Sequence, residues 1–497
     1  MKNLNKNEME IIILKNYLKN DVLKNYINGK WTKSDNIVNT INPSDTSDIV
    51  SKAYQASKKD TKNAILSAYD AKEQWASSSI ALRQTILDEI AKKLLQNKDF
   101  YGEIIAREAG KPIKEATDEV VKSAEFFSYF AAESIRNKGV SIDSPRQNVD
   151  IEVINEAVGV VGLITPWNYP LAIPAWKLAP ALAYGNTVIL KPANNTPTIT
   201  FILAQIIDST DLPKGVFNLV NGDGKIVGNE ITGSNKVDAI SFTGSVEVGK
   251  IIAKNSIDNM IKLQLEMGSK NSLVILDDAN IDLAVAAAIK GSYNAAGQKC
   301  TSSSRLIVTP GIYDEFLQKM QVEMKKLTVG NALDTNSQIG PAISQTQLNQ
   351  NLSYVKLAKQ EGATHVCGGE VLNKDTKGFF FTPALFTNGD SKMKFNQEEI
   401  FGPIACIIRV KDYKEALETL NDTQFGLSGG IITNDLKTAM HFKHNAKIGN
   451  VMINLPTAGM DNHVPFGGSK NSSYGSREKS FSALAFYTSS KTSYIQY

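Results

Sequence analysis

Residues 158–192 read VGVVGLITPWNYPLAIPAWKLAPALAYGNTVILKP. Two short apolar runs, VGVVGLIT and NTVILKP, enclose a longer stretch, AIPAWKLAPALAY, that has the character of a helix. Short β-branched runs without polar alternation are typical of parallel strands, because helices cover both faces of a parallel sheet. The segment therefore predicts a strand–helix–strand unit of an α/β fold.

The same alternation continues on the carboxyl-terminal side. The runs GVFNLVNG and DAISFTG follow, separated by the helical stretches TFILAQIID and KIVGNEI. A second series of apolar runs, LVILDD, SRLIV, ACIIRV, GGIITN and NVMIN, comes after Leu265 with helices between them. We expect two α/β domains with a break near Leu265, and a cleft between two such domains is a common ligand site.

The amino-terminal flank has a different character. YINGKW, from Tyr26, predicts two strands around an Asn28-Gly29 turn. Residues 58–135 are rich in Ala, Lys, Glu and Leu at helical spacing, and Gly110 is a predicted helix stop. Residues 139–155 alternate β-forming residues around a Ser-Pro turn, which predicts a hairpin projecting from the body.

Composition excludes several classes of protein. The 497 residues carry a net charge of +3, with 42% hydrophobic and 21% charged residues, which fits a globular protein and gives no reason to expect nucleic-acid binding. The first apolar run is too short for a signal or a membrane span. The three cysteines are well separated and have no CxxC spacing, which favours a reducing cytoplasm. His441 and His444 have no evident third ligand, so a metal site is not expected.

Four positions are candidates for chemistry, and each has an alternative explanation. Asn168, after a predicted strand, could donate to an oxyanion or stabilise a turn. Gly244 and the helix after it could bind phosphate or form an ordinary strand-to-helix turn. Glu266 could be a base or a structural partner, and Cys300 in GQKC could be a nucleophile or a buried thiol.

The order of the motifs is more specific than any one of them. TPWNYP, VILKP, FTGS, LEMGSK, GQKC, QEEIFGP (397–403) and HVPFGGSK (463–470) follow one another along the chain. From about Tyr26 to Lys491 this assembly resembles the aldehyde dehydrogenase superfamily, the NAD(P)-dependent enzymes that oxidise aldehydes to acids.

The resemblance implies a fold and an assembly. The family's fold has a Rossmann-like cofactor-binding domain, here 1–138 and 156–264, and an α/β catalytic domain, here 265–465. The remaining parts are an oligomerisation flap and a carboxyl-terminal segment, 139–155 and 466–497. The flap, made of the 139–155 hairpin and the final strand TSYIQY, would join subunits into a homo-oligomer, a dimer or tetramer. An exposed edge strand of this kind needs covering.

The resemblance also implies catalytic roles. Cys300 matches the nucleophile, Asn168 the oxyanion donor that acts with the backbone N–H of Cys300, and Glu266 the general base. A carboxylate base explains how a chain with four histidines can activate a thiol. Lys299 is a candidate for lowering the thiol's pKa, although side chains of adjacent residues often diverge.

Cofactor contacts carry over in the same way. They would be Thr165, Trp167, Lys191, Asn194, Gly224, Thr243, Gly244, Ser245, Gly249, Met267, Glu399 and Phe401. Glu399 and Phe401 match the positions that hold the nicotinamide ribose and ring, and Lys191 the lysine at the adenosine ribose. Relatives that use NAD often have glutamate where this chain has Asn194. A carboxylate would repel a 2′-phosphate, whereas a neutral amide beside Lys191 can accommodate one. NADP is therefore expected to be preferred, with NAD still usable.

The substrate is less sharply indicated. Glu266 favours water as acyl acceptor over coenzyme A, and the tail 456–478 is similar to the subgroup acting on sugar-derived and dicarboxylic semialdehydes. We expect glyceraldehyde oxidation to glycerate; the alternative is a succinate or 2-oxoglutarate semialdehyde dehydrogenase, or a broad-range enzyme. Expected substrate contacts are Tyr169, Thr301, Asn454 and His463. Ser269, where many relatives have glycine, is expected to matter little.

Two rival functions remain. A binding protein that kept the fold and lost catalysis would usually lack the nucleophile or the base, yet Cys300, Glu266 and Asn168 are all present. A cysteine esterase would need a histidine partner, and it would leave the FTGS turn and Glu399 without a role.

Overall fold

The computed structural model describes residues 6–136 and 139–497. The amino-terminal elements are α1 (Lys6–Asn20), β1 (Val22–Leu23), β2 (Asn25–Ile27), β3 (Lys30–Thr32), β4 (Asn36–Asn42), β5 (Asp45–Gln55), α2 (Lys58–Ala76), α3 (Ile80–Gln96), α4 (Lys98–Ala109), α5 (Ile113–Glu133), β6 (Gly139–Asp143) and β7 (Val149–Ala157). Next come β8 (Val160–Ile164), α6 (Ala172–Ala183), β9 (Thr187–Lys191), α7 (Pro197–Asp208), β10 (Phe217–Leu219), α8 (Asn229–Thr232), β11 (Ala239–Thr243), α9 (Val246–Ser256) and β12 (Lys262–Glu266). A π-helical turn, Gly224–Gly228, precedes α8.

The second half continues the alternation of strands and helices. Its elements are β13 (Asn271–Ile275), α10 (Ile281–Tyr293), β14 (Ser303–Val308), α11 (Tyr313–Met324), α12 (Gln345–Gln360), β15 (Thr364–Cys367), β16 (Ala384–Thr387), α13 (Lys394–Gln397), β17 (Ile404–Arg409), α14 (Tyr413–Asn421), β18 (Phe425–Gly426), β19 (Ser428–Ile432), α15 (Leu436–Asn445) and β20 (Asn450–Ile453). The chain ends with β21 (Ser469–Lys470), β22 (Ser473–Tyr474), α16 (Leu484–Tyr487) and β23 (Thr488–Gln496).

The first large sheet has the order β22-β12-β11-β8-β9-β10-β2-β3. Its five central strands, β12 to β10, run parallel, and both outer additions are antiparallel. Every residue of β8 and β9 is buried, as their apolar sequences predict for strands covered on both faces. Because these strands are parallel, their carboxyl ends lie along one edge of the sheet, where α/β folds place ligands.

The second large sheet has the order β15-β16-β17-β14-β13-β19-β20 and is parallel except for β15. The chain passes from the first sheet to the second between Glu266 and Asn271, beside the break expected near Leu265. The mixed α/β architecture predicted from the sequence is confirmed. Domain limits within it stay a prediction.

Several segments differ from the sequence prediction in detail. Part of the amino-terminal region forms a separate sheet, β1-β5-β4, outside the eight-stranded one. The carboxyl-terminal strand joins the predicted hairpin as expected, as β23 in the sheet β23-β7-β6, whereas the rest of the segment 466–497 does not. β22 instead extends the first large sheet, and β21 pairs with β18. Because β22 is hydrogen-bonded to the edge of β12, it is not part of the flap sheet.

Helix limits follow their capping residues. The side chain of Ser57 and that of Asp60 form a reciprocal capping box at the start of α2. Gly110 ends α4 in the left-handed region at φ 69°, as predicted.

Among the described residues, no helix is both long enough and apolar enough to span a membrane.

Candidate active site

Cys300 lies in a tightly constrained loop after α10. Ala295, Ala296 and Gly297 have successive φ values of 52°, 54° and 65°, which is an unusual run for residues of which two carry a Cβ. A Cβ on Gly297 would collide with the carbonyl oxygen of Gly402. Strained backbone of this kind persists only where its surroundings hold it, and it recurs at functional sites.

Two side chains at the start of the second large sheet, Ser269 just before β13 and Asn271 at its first position, hold the peptide of the nucleophile in place. Asn271 donates from Nδ2 to the carbonyl oxygen of Cys300 at 2.7 Å and to that of Ser302 at 3.0 Å. The hydroxyl of Ser269 donates to the same Cys300 carbonyl and accepts from Asn271 at 3.1 Å. Ser269 thus does more than the sequence prediction allowed, since it helps hold the nucleophile loop in place.

Asn168 is brought to this loop from the other sheet. It is buried after β8, and its Nδ2 donates to the carbonyl oxygen of Gln298 at 3.0 Å. An amide nitrogen has two hydrogens, so this bond orients the side chain and leaves a second N–H to donate. The placement is compatible with an oxyanion donor and differs from that of an amide satisfying its own turn.

Glu266, at the end of β12, is buried and accepts a hydrogen bond from the hydroxyl of Ser473 at 2.6 Å. Burial and the nearby negative charge of Glu478 raise the pKa of Glu266 well above its ordinary value. The Ser473 hydrogen bond and the positive charges of Lys177 and Arg477 act in the opposite direction. A carboxylate whose pKa is raised accepts a proton more readily, which favours its use as a general base.

Behind Glu266 lies a buried ion pair between Lys177 of α6 and Glu478. The Nζ of Lys177 also donates to the hydroxyl of Ser241 at 2.7 Å, which donates to Gln264 at 2.9 Å. The pair compensates charges that would otherwise be isolated in the protein interior. Sequence reasoning missed it, although a lysine within the apolar stretch AIPAWKLAP was a usable signal.

The charges around Cys300 differ from the expectation. Burial is the main cause that raises the pKa of the thiol to about 12, and the carboxylates of Glu399 and Glu266 add to it. Lys299 was a candidate for lowering this pKa, but its side chain diverges from the thiol and its Nζ is paired with Glu115 at 3.0 Å. The cation that lowers the pKa of Cys300 is Lys479, which the sequence analysis did not identify.

The predicted cofactor positions line the carboxyl edge of the first sheet. The hydroxyls of Thr165 and Thr243, where β8 and β11 end, are buried without a hydrogen-bond partner among the described residues. Ser245 caps α9, its side chain accepting from the Val248 N–H at 3.3 Å. Gly224 has open space where a Cβ would stand. Unsatisfied hydroxyls beside a helix N-terminus and an open glycine fit a phosphate-bearing cofactor.

At two more of the predicted cofactor positions, a residue larger than glycine would not fit. A Cβ on Gly244 would collide with the ring of Phe242, and one on Gly249 with the sulfur of Met267. Glycine at both places lets α9 and the strand ends approach closely. The N-terminus of α9 is thereby kept at the sheet edge.

The other wall of this cleft comes from the segment between α13 and β17. The rings of Trp167 and Phe401 meet edge to face with centroids 5.3 Å apart, and Phe401 has a φ of 58°. The carboxylate of Glu399 accepts from the backbone N–H of Ser269 at 2.8 Å, and burial raises the pKa of Glu399 to about 7. The structure therefore brings residues about 230 positions apart, Trp167 and Phe401, to one cleft.

Lys191 and Asn194 lie after β9. Burial lowers the pKa of Lys191 to about 8, opposed by the negative charge of Asp223. The Nζ of Lys191 donates to the carbonyl oxygen of Pro192 at 2.9 Å, whereas the Oδ1 of Asn194 has no partner in the described chain. Asp223 was not recognised from the sequence, and it places a carboxylate among the groups expected at the adenosine end.

Cys300 opens into a cavity of about 330 Å³. Tyr169 and Thr301 line it, as predicted, together with Phe126, Trp176, Phe466 and Lys479. Lys111 lies 3.6 Å from the centre of the Tyr169 ring and forms a buried ion pair with Glu119. Carboxylates, lysines and aromatic rings thus surround the space in front of the thiol.

Two predicted substrate contacts are placed elsewhere. The amide of Asn454 is occupied by the backbone of Thr433, to which it donates and from which it accepts at 3.0 Å each way. His463 is exposed, and the cavity is lined by its neighbours Met460 and Asn462 instead. Neither Asn454 nor His463 is retained as a substrate contact.

No group of three potential metal-ligating side chains occurs among residues 6–136 and 139–497.

The chain is similar to known proteins in both sequence and fold. A sequence profile described as "Aldehyde dehydrogenase family" matches residues 31–493. The chain is 40% identical to the α-ketoglutaric semialdehyde dehydrogenase of Bacillus subtilis (strain 168), covering 95% of this chain and 98% of that one. It is 39% identical to the α-ketoglutarate semialdehyde dehydrogenase of Haloferax volcanii, over 96% of this chain and 100% of that one. Among solved structures, a betaine aldehyde dehydrogenase from Staphylococcus aureus in complex with NAD⁺ matches with a TM-score of 0.94 and 35% identity, covering 98% of this chain and 97% of the other.

Proposed function

Because the chain belongs to the aldehyde dehydrogenase family, we propose that it oxidises a dicarboxylic semialdehyde of the α-ketoglutarate semialdehyde type to the free acid. The observation that supports this substrate is the similarity, over at least 95% of the chain, to two α-ketoglutarate semialdehyde dehydrogenases. Glyceraldehyde, the expected first substrate, has no comparable support. The alternative made from the sequence is therefore preferred.

The proposed reaction uses Cys300 as nucleophile. Glu266 takes the proton of the thiol and passes it to solvent, and the thiolate adds to the aldehyde carbon. The oxygen that becomes negative accepts hydrogen bonds from the free N–H of Asn168 and the backbone N–H of Cys300. When bound, an oxidised nicotinamide would accept the hydride that leaves this carbon, and the oxyanion would then become the carbonyl oxygen of a thioester on Cys300. Glu266 then takes a proton from water, whose oxygen attacks the thioester carbon and releases the carboxylic acid and the thiol. The sum is aldehyde, oxidised cofactor and water giving acid, reduced cofactor and a proton.

Both NAD and NADP are proposed cofactors, with NADP favoured. Thr165, Thr243 and the N-terminus of α9 would hold the diphosphate, and Glu399 and Phe401 the nicotinamide riboside. The Oδ1 of Asn194 has no partner among the described residues, so it can accept from a ribose hydroxyl, while the Nδ2 of the same amide can donate to a phosphate oxygen. A carboxylate at this position would repel a 2′-phosphate, and a neutral amide does not.

A homo-oligomer, dimer or tetramer, is proposed through the flap sheet. Its edge strands β6 and β23 expose Val140, Ile142, Tyr494 and Ile495, each at least 49% accessible. Apolar side chains on an unpaired edge favour pairing with another chain. All three cysteines are free, so a reducing, cytoplasmic setting is proposed as well.

The test is steady-state formation of reduced nicotinamide by the purified protein. The aldehydes are α-ketoglutarate semialdehyde, succinate semialdehyde, glyceraldehyde and propionaldehyde, each with NAD and with NADP. The highest kcat/KM is expected for the two carboxylated aldehydes. A higher kcat/KM for glyceraldehyde or propionaldehyde would overturn the substrate proposal.

A Cys300→Ala variant is the control for mechanism. It should bind cofactor, measured by a shift in thermal unfolding, and show no detectable oxidation. Turnover within about tenfold of the parent would remove Cys300 from the reaction, since loss of a nucleophile costs orders of magnitude in rate.

A further inference from the structure

Lys479 is a buried cation without a matching anion. Its residue is 3% exposed, and its Nζ makes one hydrogen bond, to the backbone oxygen of Asp461 at 3.3 Å. No carboxylate oxygen in the described part of the chain lies within 4.0 Å of it. An ammonium group has three donors and favours an anionic partner when it is removed from water.

Aromatic rings surround this ammonium. The Nζ of Lys479 lies 5.1 Å from the ring centre of Phe466, 5.4 Å from that of Trp176 and 5.7 Å from that of Phe126. Ring faces attract a cation weakly, which orients Lys479 without neutralising it. Its backbone φ is 63°, in a region that a residue with a Cβ rarely adopts. The fold therefore holds this side chain in place at some energetic cost.

The position of Lys479 is in the catalytic cavity. Lys479 and Cys300 both line it, and each charge alters the pKa of the other. The three rings and the Asp461 carbonyl engage one of its three donors, and the cavity that Lys479 lines is the space that a substrate must enter to reach Cys300.

The acidic residues nearby are already compensated. Glu478 is paired with Lys177, Glu119 with Lys111, and Glu115 with Lys299. The unpaired charges that line the cavity are Asp118, Lys122, Lys290 and Lys479. Lysines outnumber acids among them, so the cavity favours an anionic ligand.

We propose that Lys479 binds the carboxylate of the semialdehyde substrate while the aldehyde group meets Cys300. Lys479 is then a specificity residue that selects oxo acids over neutral and cationic aldehydes. This inference rests on the proposed function, and it assigns the recognition of the carboxylate to one side chain. One donor of the ammonium stays on Asp461, and the other two are free for carboxylate oxygens.

A competing role for Lys479 is stabilisation of the Cys300 thiolate. The two roles predict different effects of a Lys479 substitution on the oxidation of a neutral aldehyde. A residue that binds the substrate carboxylate matters only for substrates that have one, whereas a residue that activates the thiol matters for every aldehyde.

The experiment compares Lys479→Met, Lys479→Arg and Lys122→Met in the full-length protein. Met keeps the length and apolar stem of Lys479, Arg restores the charge, and Lys122 is an exposed lysine lining the same cavity. For each we measure kcat/KM with α-ketoglutarate semialdehyde and with propionaldehyde, and the rate of Cys300 alkylation by iodoacetamide. Thermal unfolding with and without cofactor verifies the fold.

Lys479→Met should lower kcat/KM for the semialdehyde about 10- to 100-fold, mainly through KM, as expected for loss of a charge-assisted hydrogen bond. Because Lys479 also lowers the pKa of Cys300, propionaldehyde turnover and the alkylation rate should both fall, but by a smaller factor than kcat/KM for the semialdehyde. Lys479→Arg should recover part of the loss, and Lys122→Met should have the smaller effect.

Equal losses with both aldehydes, together with slower alkylation, would overturn the inference in favour of thiolate stabilisation. Unchanged semialdehyde kinetics in Lys479→Met, in an enzyme that prefers semialdehydes, would overturn the inference and leave the proposed function intact. A parent enzyme without preference for carboxylated aldehydes would overturn both.

Discussion

The hydroxyl of Ser473 donates a hydrogen bond of 2.6 Å to the carboxylate of Glu266, from the residue directly opposite it in the β12–β22 pair. This bond fixes the orientation of the carboxylate that is the expected general base. Burial and Glu478 raise the pKa of Glu266, and the Ser473 bond opposes them because it stabilises the charged carboxylate. The short strand β22 therefore tunes the base as well as extending the sheet.

Ser473→Ala should raise the pKa of Glu266 further. Since the base works deprotonated, the acidic limb of the kcat–pH profile should move to higher pH by about one unit, the effect of losing a hydrogen bond to a charged group. Activity should fall most on the acidic side and recover at alkaline pH. The measurement is kcat from pH 5 to 9 with saturating cofactor and aldehyde.

Ser469→Ala is the matched control. Its hydroxyl lies in the same carboxyl-terminal segment and donates only to the backbone oxygens of Gly426 and Lys447. The control should leave the acidic limb in place. If Ser473→Ala also leaves it in place, or moves it to lower pH, Glu266 is not the group that titrates.

Cofactor choice should respond to Asn194. Asn194→Glu introduces a negative charge where a 2′-phosphate is proposed to lie, so kcat/KM with NADP should fall about 10- to 100-fold and that with NAD should change less than about threefold. Asp223→Asn removes a carboxylate that acts on Lys191, and it should favour NADP. Equal effects on the two cofactors in Asn194→Glu would contradict the assignment.

The fold was largely predictable because its strands are buried on both faces. VGVVGLIT and NTVILKP have no polar alternation, and they become the wholly buried β8 and β9. Cys300 and Asn168 were recognisable because each stands within a motif, and the structure brings them to the same loop. These inferences depend on local sequence and on the rule that carboxyl ends of parallel strands share an edge.

Charge partners were not predictable, because they depend on contacts between distant segments. Lys299 is adjacent to the nucleophile in sequence but pairs with Glu115, while Lys479, far along the chain, is the cation that acts on the thiol. Asn454 and His463 belong to the tail that reaches the cavity, but the pocket is lined by their neighbours. Which residue of a loop points inward depends on its backbone conformation, and one sequence does not reveal it.

The pH dependence should differ between charged and neutral aldehydes. Burial lowers the pKa of Lys479 to about 8, while Glu478, Cys300 and Asp461 raise it and Lys122 lowers it. Lys479 is thus a cation below this pH and loses its charge above it. The ratio of kcat/KM for α-ketoglutarate semialdehyde to that for propionaldehyde should be constant below pH 7 and decline above pH 8.

The same ratio in Lys479→Met should be low and independent of pH. Dividing the two kcat/KM values cancels the titration of Cys300 and Glu266, which both substrates share. A parent ratio that stays level from pH 6 to 9.5 would mean that Lys479 is not the titrating group that recognises the carboxylate.

Cationic aldehydes should be poor substrates despite the structural similarity to a betaine aldehyde dehydrogenase. Rings arranged as Phe126, Trp176 and Phe466 are here could receive a quaternary ammonium, but Lys479 already places its own cation between them. Betaine aldehyde should have a kcat/KM at least about 100-fold below that of the semialdehyde, as expected from repulsion between buried like charges. Lys479→Met should raise the betaine aldehyde value about tenfold, and no gain would show that the rings are not accessible to it.

The strain before Cys300 gives a stability prediction. Gly297 has a φ of 65°, and a Cβ there would collide with the backbone oxygen of Gly402, which cannot move aside without shifting the segment that carries Phe401. Gly297→Ala should lower the free energy of unfolding by about 3 kcal/mol or more, from the left-handed backbone and the clash together.

Gly362→Ala is the control, since Gly362 also has a positive φ, 95°, but has no atom within 4 Å of the added Cβ. That change should cost only about 1–2 kcal/mol, the cost of the backbone conformation alone. Denaturant unfolding gives both values, and kcat should fall only in Gly297→Ala, because only there does the substitution displace the loop that holds the thiol. Equal losses of stability in the two variants would mean that Gly402 yields, and that the loop before Cys300 is not held by this contact.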